Sequence, residues 1–196
     1  MDIRFDNKIV IVTGGSNGIG KATILEFQTA GATTICLDIK KPNFNTDNEI
    51  CDISNREAVQ TAIQNIINKH QDIHVLVNNA GIQTYGTVTE TSEETWDNTL
   101  NINLKGYFLC CKYAIPYLLK VIDPVIINIS SVNGVGSTPN AAAYVASKAG
   151  IIGLTKSIAV DYAPQLRCVA ICPAAVDTPM MQYEIDQLPT CLLYHI

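Results

Sequence analysis

The sequence is poor in charge, and the charge it has leans acidic: 16% of its 196 residues are charged, 18 acidic against 13 basic, for a net charge of −5. Thirteen scattered Lys and Arg assemble neither a phosphate-neutralising stripe nor a cationic amphipathic helix, so no nucleic acid and no membrane surface is expected as a partner. No apolar run approaches the ~20 residues of a membrane span. The opening MDIRFDNK carries charge where a secretory signal needs an apolar core. Seven cysteines are present without a Cys-x-x-Cys pair. Their odd number and their apolar surroundings read as reduced core thiols of a cytoplasmic protein, not as disulfides or a zinc site. His70, His74 and His195 are scattered, and no metal site is expected. Low-complexity stretches are missing too. With 47% hydrophobic residues the chain can bury a core and is most simply one domain over residues 1–196.

What is present is an alternation of β-branched runs and helical periodicities. Residues 9–12 (IVIV) read as a buried strand that feeds Thr13-Gly14-Gly15-Ser16-Asn17-Gly18-Ile19-Gly20 and then a helix carrying Ala22, Leu25 and Phe27. Strand, glycine turn and helix start form an arrangement in which the backbone can approach a pyrophosphate whose charge sits at the helix N-terminus. In isolation the same glycines also make an ordinary tight turn. The second strand, residues 33–37, ends at Asp38, about twenty residues past the glycine loop, where an acid can accept hydrogen bonds from adenosine ribose hydroxyls. A carboxylate there repels a 2′-phosphate, so NAD(H) is expected in preference to NADP(H). Ser16 and Asn17 put no cation in the loop, which agrees, whereas Lys40 and Lys41 pull the other way.

Residues 42–49 are polar and aperiodic and read as a loop before a short strand around Ile50 and Cys51. Ser54 or Asn55 can cap a helix with Val59, Ala62, Ile63, Ile66 and Ile67 at three-and-four spacing. The fourth strand, residues 72–77, ends in Asn78-Asn79-Ala80-Gly81. A capping box in Thr91-Ser92-Glu93-Glu94 opens one long helix through Trp96, Leu100, Phe108 and Tyr117. Ile126, Ile127 and Ile129 form a fifth strand that delivers Ser130 and Ser131 to a loop with Gly134 and Gly136. Residues 141–149 are rich in helix formers, and residues 151–163 continue that helix. Residues 169–171 give a sixth strand. Alternating strands and helices predict an α/β chain with a doubly wound parallel sheet.

The chemistry centres on residues 126–149. Tyr144 and Lys148 are four apart on a helix, which puts phenol and ammonium on one face. A free phenol titrates near ~10, so a general base near neutrality needs a shift of roughly three units, about 4 kcal/mol of preference for the phenolate. Lys148, helped by a bound cationic cofactor, is the charge in this stretch able to supply it. Taken alone, a Tyr-x-x-x-Lys pair occurs by chance on many helix surfaces.

The motifs at 13–20 and 78–81, Asn-Ile-Asn-Leu-Lys-Gly at 101–106, the serine thirteen residues before Tyr144, and Pro-Ala-Ala-Val-Asp-Thr at 173–178 resemble, in order, those of the classical short-chain dehydrogenase/reductase family. The resemblance spans residues 8–178. It implies a Rossmann-type sheet with six strands present, the usual seventh missing so that the sixth is left at an edge, and an incomplete C-terminal substrate lid. It implies that Asn103, Ser131, Tyr144 and Lys148 are catalytic, with Ser131 preferred over Ser130 because it stands at the family's spacing from Tyr144. Gly14, Ser16, Asn17, Gly18, Ile19 and Gly20 would meet the cofactor phosphates, Asp38 the ribose, Asp52 and Ile53 the adenine, and Asn79, Ala80 and Gly81 would line the cofactor. Tyr144 and Lys148 would reach the nicotinamide ribose, and Pro173, Val176 and Thr178 the nicotinamide amide. Ala174 replaces the family's usual Gly, which would strain a backbone that needed positive φ. Gln83, Asn133, Asn140, Met180 and Met181 fall where the family lines its substrate pocket. The final PTCLLYHI matches no part of the pattern.

The implied function is NAD(H)-dependent hydride transfer between the nicotinamide and a small-molecule secondary alcohol or ketone. The alternative is a catalytically weak dinucleotide-binding protein acting by association, and a third reading is an isomerase or dehydratase on the same fold. The family's use of helices near residues 107–119 and 151–162 for assembly implies a homodimer or homotetramer.

Overall fold

The structure, a computed structural model, describes residues 4–182. Six parallel strands, β1 (Ile9–Thr13), β2 (Thr33–Asp38), β3 (Asp47–Ile50), β4 (Val75–Asn78), β5 (Val125–Ile129) and β6 (Arg167–Ile171), form one sheet in the order β3-β2-β1-β4-β5-β6. Strand order reverses between β1 and β4, so the turns that leave these two strands open a crevice at their C-terminal ends. Strand periodicity sends alternate residues to opposite faces. Ile11, Leu37, Leu76 and Ile126 pack under α2 (Arg56–His70), α4 (Gly106–Leu118) and α5 (Ala142–Tyr162), while Val10, Val12, Cys36, Val75 and Val77 pack under α1 (Gly18–Thr29). Among the described residues β3 and β6 are the edges. On β6, Val169 and Ile171 remain 46% and 49% exposed.

Residues 39–46 form no helix, in line with their polar composition. Asn55, not Ser54, caps α2, its side chain accepting from Ala58 N at 3.0 Å. The fourth strand begins at Val75, three residues later than its apolar pattern suggests; the third takes in residues 47–49 of the expected loop, paired with Ile35–Leu37 by main-chain bonds, and ends at Ile50, leaving Cys51 outside it.

The long helix departs from its expected form at its start and in its middle. Its cap is Ser92, whose oxygen accepts from Thr95 N at 3.1 Å; the Thr91 hydroxyl turns back to the Thr87 carbonyl at 2.8 Å, so the Thr91–Glu94 box does not form. The helix is also not uniform. After α3 (Glu93–Leu100) come five residues in π geometry, Asn101–Lys105, before α4 continues. That wider turn carries Asn103 fully buried, where a polar residue in a regular helix more often faces water.

A buried polar ladder ties the sheet to α5. Asn78 Nδ2 donates to Asn128 Oδ1 at 2.8 Å, Asn128 Nδ2 donates to Thr155 Oγ1 at 2.9 Å, and Thr155 Oγ1 donates to the Ile151 carbonyl. These bonds set α5, with Tyr144 and Lys148, against β4 and β5. Cys36, Cys51, Cys110, Cys111 and Cys168 are free and buried, and Cys172 is free and partly exposed; Cys191, His195 and the final PTCLLYHI lie outside the described residues. No helix among the described residues is long and apolar enough to cross a membrane.

Candidate active site

The glycine loop and the Asn78–Gly81 turn form one packed unit at the crevice. Gly14 has φ +62°, and a Cβ there would lie 2.7 Å from Ala80 Cα; a Cβ on Gly20 would run into the Gly14 carbonyl. Thr13 Oγ1 accepts the amides of Asn79 and Ala80 at 2.9 and 3.0 Å, and Asn79 Nδ2 donates to the carbonyls of Thr13 and Gly14, both at 3.1 Å. Ser16 turns to Asp38, donating to its Oδ2 from the amide at 3.0 Å and from the hydroxyl at 2.7 Å. Asn17 is exposed at the start of α1 and makes no side-chain cap, and Ile19 is half-buried beside it. Asp52 is exposed and accepts the Ser54 amide and hydroxyl. Ile53 is buried, its side chain filling the space a Cβ on Gly106 would need.

On the other side of the crevice, Lys148 is 5% exposed. Its ammonium donates to the Ile129 carbonyl at 3.0 Å and lies 5.6 Å from the Tyr144 ring centroid and 5.9 Å from that of Tyr107. No acidic side chain pairs with it among the described residues. Burial pulls its pKa down to about 8, opposed by the nearby Cys172 thiol. The ammonium therefore stays mostly charged at neutral pH and can favour an adjacent phenolate. Tyr107 O–H donates to the same Ile129 carbonyl at 3.2 Å, and burial raises its own pKa well above the usual phenol range.

Asn103 is brought to this group. Its Nδ2 donates to the Ile82 carbonyl at 2.9 Å and to Ser147 Oγ at 3.0 Å, and its Oδ1 accepts the Ile82 amide at 2.8 Å. A Cβ on Gly81 would lie 3.1 Å from Asn103 Oδ1 and 3.8 Å from Lys148 Nζ, so turn, Asn103 and Lys148 converge. The two serines differ. Ser130 Oγ donates to the Lys148 carbonyl at 2.8 Å, whereas Ser131 Oγ accepts the Asn133 amide at 3.1 Å, which leaves its hydrogen to give elsewhere.

The segment after β6 closes the third side. The Pro173 carbonyl accepts Val132 N at 3.0 Å, Thr178 Oγ1 accepts Met181 N at 3.2 Å, and a Cβ on Gly18 would meet Thr178 at 3.5 Å. Ala174 is not among the residues with positive φ, so the strain considered for it does not arise. A groove of about 1020 Å³ runs along α1, from Phe5 and Phe27 to Gly18, Val176 and Thr178, and is not lined by Asn103, Ser131, Tyr144 or Lys148. Gln83 follows the Ile82 turn, and the loops after β4 and β5 join where Gly86 N donates to the Asn140 carbonyl at 2.8 Å. Gln83, Asn133 and Asn140 thus lie on joined loops, while Met180 is exposed on the segment after β6.

Sequence reasoning passed over Thr13 and Ser147. Thr13 precedes the first glycine of the loop, and its hydroxyl binds the two crevice turns together. Ser147 is a small polar residue inside an apolar helix; it accepts from Asn103 and donates to the Tyr144 carbonyl at 2.7 Å.

The family model for short chain dehydrogenase matches residues 8–189. The 3-oxoacyl-(acyl-carrier-protein) reductase of Thermotoga maritima is 36% identical over 193 residues, 92% of this chain and 78% of that protein. The ligand-free aldohexose dehydrogenase of Thermoplasma acidophilum superposes with a TM-score of 0.91 at 45% identity, covering 98% of this chain and 77% of that one. The 3-ketoacyl-(acyl-carrier-protein) reductase of Brucella melitensis, solved with NADH, gives a TM-score of 0.85 at 27% identity, over 90% of this chain and 79% of that one.

Proposed function

The chain belongs to the short-chain dehydrogenase family, and on that premise we propose that it transfers hydride reversibly between NAD(H) and a secondary alcohol or ketone. The observation that carries the proposal is a buried ammonium, Lys148, with no acidic partner among the described residues, set beside the Tyr144 ring at the strand-order reversal. The surrounding residues fit a dinucleotide: the glycine loop leads from β1 into the N-terminus of α1 with Asn17 exposed there, Asp38 ends β2, and Lys148 has donor capacity beyond its one backbone acceptor. The relative solved with NADH supports the same cofactor class.

The bound nicotinamide would supply the hydride acceptor or donor at C4. Tyr144 would exchange the proton with the substrate oxygen as general acid or base, with Lys148 favouring its phenolate and holding the nicotinamide ribose hydroxyls. Ser131 would donate to the substrate oxygen, where charge develops as the carbonyl forms or breaks. Asn103 would support a proton relay to Lys148; both its amide hydrogens are already used, so a relay water would donate to it rather than accept from its side chain. Pro173, Val176 and Thr178 would border the nicotinamide end, and Gln83, Asn133, Asn140, Met180 and Met181 the substrate. We place the protein in the cytoplasm and pair it as a homodimer or homotetramer through α4 and α5, which expose Phe108 and Val160.

The half-exposed Val169 and Ile171 on the β6 edge favour a second reading, a weakly catalytic dinucleotide-binding protein that acts by association. A steady-state scan of NADH oxidation against a panel of ketones, run beside an NADH fluorescence titration, separates the two. Turnover supports the first; binding without turnover supports the second.

A further inference from the structure

The loop after β4 is pinned at every second residue. Ile82 pairs with the Asn103 side chain through both of its main-chain groups, at 2.8 and 2.9 Å. Thr99, fully buried on α3, gives its own hydrogen to the Thr95 carbonyl at 2.7 Å, so Thr84 Oγ1 donates to Thr99 Oγ1 at 2.9 Å. Gly86 then bridges to the start of α5. Its amide donates to the Asn140 carbonyl at 2.8 Å, and its carbonyl accepts the Ala142 amide at 3.2 Å.

Ala142 is the first residue of α5, and Tyr144 lies in the same opening turn. The helix has no cap of its own: Ala141 makes no side-chain hydrogen bond and no acid stands in the first turn. The Gly86 carbonyl takes that place from a distant loop. One turn on, the helix is held to β5 instead, by the Lys148 ammonium on the Ile129 carbonyl at 3.0 Å and the Lys148 carbonyl accepting Ser130 Oγ at 2.8 Å. Phenol and ammonium thus depend on different anchors. Gly86 suits the role, because its φ of +143° favours glycine and a Cβ there would lie 2.7 Å from Thr91 Oγ1, itself bound to the Thr87 carbonyl at 2.8 Å.

We infer that Gly86 is a positioning residue, capping α5 with its main chain so that the Tyr144 phenol stays beside the Lys148 ammonium. The inference rests on the dehydrogenase reading above, which gives that phenol the proton. The same loop carries Gln83, so the phenol is set from the substrate side of the crevice and not from the dinucleotide side.

Gly86→Ala tests this, since it opposes the positive φ and collides with Thr91. Amide exchange followed by NMR reads the cap: the Ala142 amide is expected to be protected in the wild type and to exchange at least about tenfold faster in the variant, the effect of one hydrogen bond. Phenolate absorbance reads the phenol. Difference titration of each protein against its Tyr144→Phe counterpart is expected to place the Tyr144 midpoint at least about half a pH unit higher in Gly86→Ala, as the first turn loosens away from the ammonium. Tyr107 on α4 and Cys172 after β6 also face this pair and are common to both proteins. The NADH dissociation constant from fluorescence titration should change less than about threefold. A larger change would mean that Gly86 acts through the cofactor site, which overturns the inference. A cap that served stability alone would alter exchange and leave the midpoint in place, so equal midpoints in proteins that bind NADH would also overturn it. So would an unprotected Ala142 amide in the wild type, a measurement that stands even if Gly86→Ala fails to fold. A wild type that binds no NADH would overturn the dehydrogenase reading, and this inference with it, whatever the midpoints.

Discussion

Asn103 and Ile82 pair as neighbouring strands do, side chain against main chain: the amide nitrogen gives a hydrogen bond to the Ile82 carbonyl at 2.9 Å and the amide oxygen receives one from the Ile82 N–H at 2.8 Å. The remaining amide hydrogen reaches Ser147, which donates to the Tyr144 carbonyl, so one buried side chain joins the turn after β4 to the helix that carries the phenol. Asn103→Ala would leave both Ile82 groups without these partners. A loss of about 2–4 kcal/mol in unfolding free energy is expected in denaturant titrations, from two part-buried groups left unpaired. A loss below about 0.5 kcal/mol would contradict this role.

The two adjacent serines should separate function from structure. Ser131→Ala is expected to lower kcat/KM for a ketone by about 10²-fold, the range for losing one donor to a developing oxyanion, and to cost about 1 kcal/mol of stability through the lost Asn133 amide bond. Ser130→Ala, which removes the bond to the Lys148 carbonyl, should cost about 1 kcal/mol of stability and less activity than Ser131→Ala. Steady-state kinetics beside thermal unfolding of both variants checks the contrast, and a reversed order would assign the substrate contact to Ser130.

Lys148 gives a pH signature. Burial lowers its pKa from 10.5 to about 8, so it is charged at pH 7 and loses that charge as pH rises through 8. Dinucleotide affinity, measured by fluorescence titration, is expected to hold steady up to that point and then decline with the loss of one proton. Stability should move the other way. Between about 8 and 10.5 the unfolded chain binds this proton and the folded chain does not, so the contribution of Lys148 to unfolding free energy rises with pH across that window. Lys148→Met should flatten both trends.

His74 gives the acid limb. Its Nδ1 accepts the Ile9 amide at 3.1 Å, which requires an unprotonated nitrogen, and burial lowers its pKa from the ordinary 6.5, with Lys8 adding to the shift. A base with a depressed folded pKa stabilises the fold while it is neutral, and that stability is lost as pH falls below 6.5. Unfolding midpoints from pH 8 down to 5 are expected to drop further for the wild type than for His74→Gln. Parallel curves would remove His74 from the acid response.

Strands β1, β2, β4 and β5 were legible because each is a largely buried apolar run between polar turns, whereas β3, with Ile50 as its one apolar residue, was largely read as loop. That Tyr144, Lys148 and Asn103 lie close together was legible only with the resemblance beside it, since positions spread from 103 to 148 meet through tertiary contacts. What stayed hidden was local geometry with a tertiary cause. The π turn at Asn101–Lys105 leaves no mark in helix propensity, because the two bonds that Asn103 makes to Ile82 lie outside its own helix. The cap at Ser92 displaced the expected box because Thr91 found the Thr87 carbonyl. The Ser16–Asp38 bonds join residues whose separate motifs gave no sign that each would occupy the other.

The most direct measurement is turnover and NADH binding by Tyr144→Phe, which removes one oxygen and keeps the ring beside Lys148. Ketone reduction should be abolished, while the NADH dissociation constant from fluorescence titration stays close to that of the wild type. Reduction at near wild-type rate would contradict the assignment of the proton to this phenol.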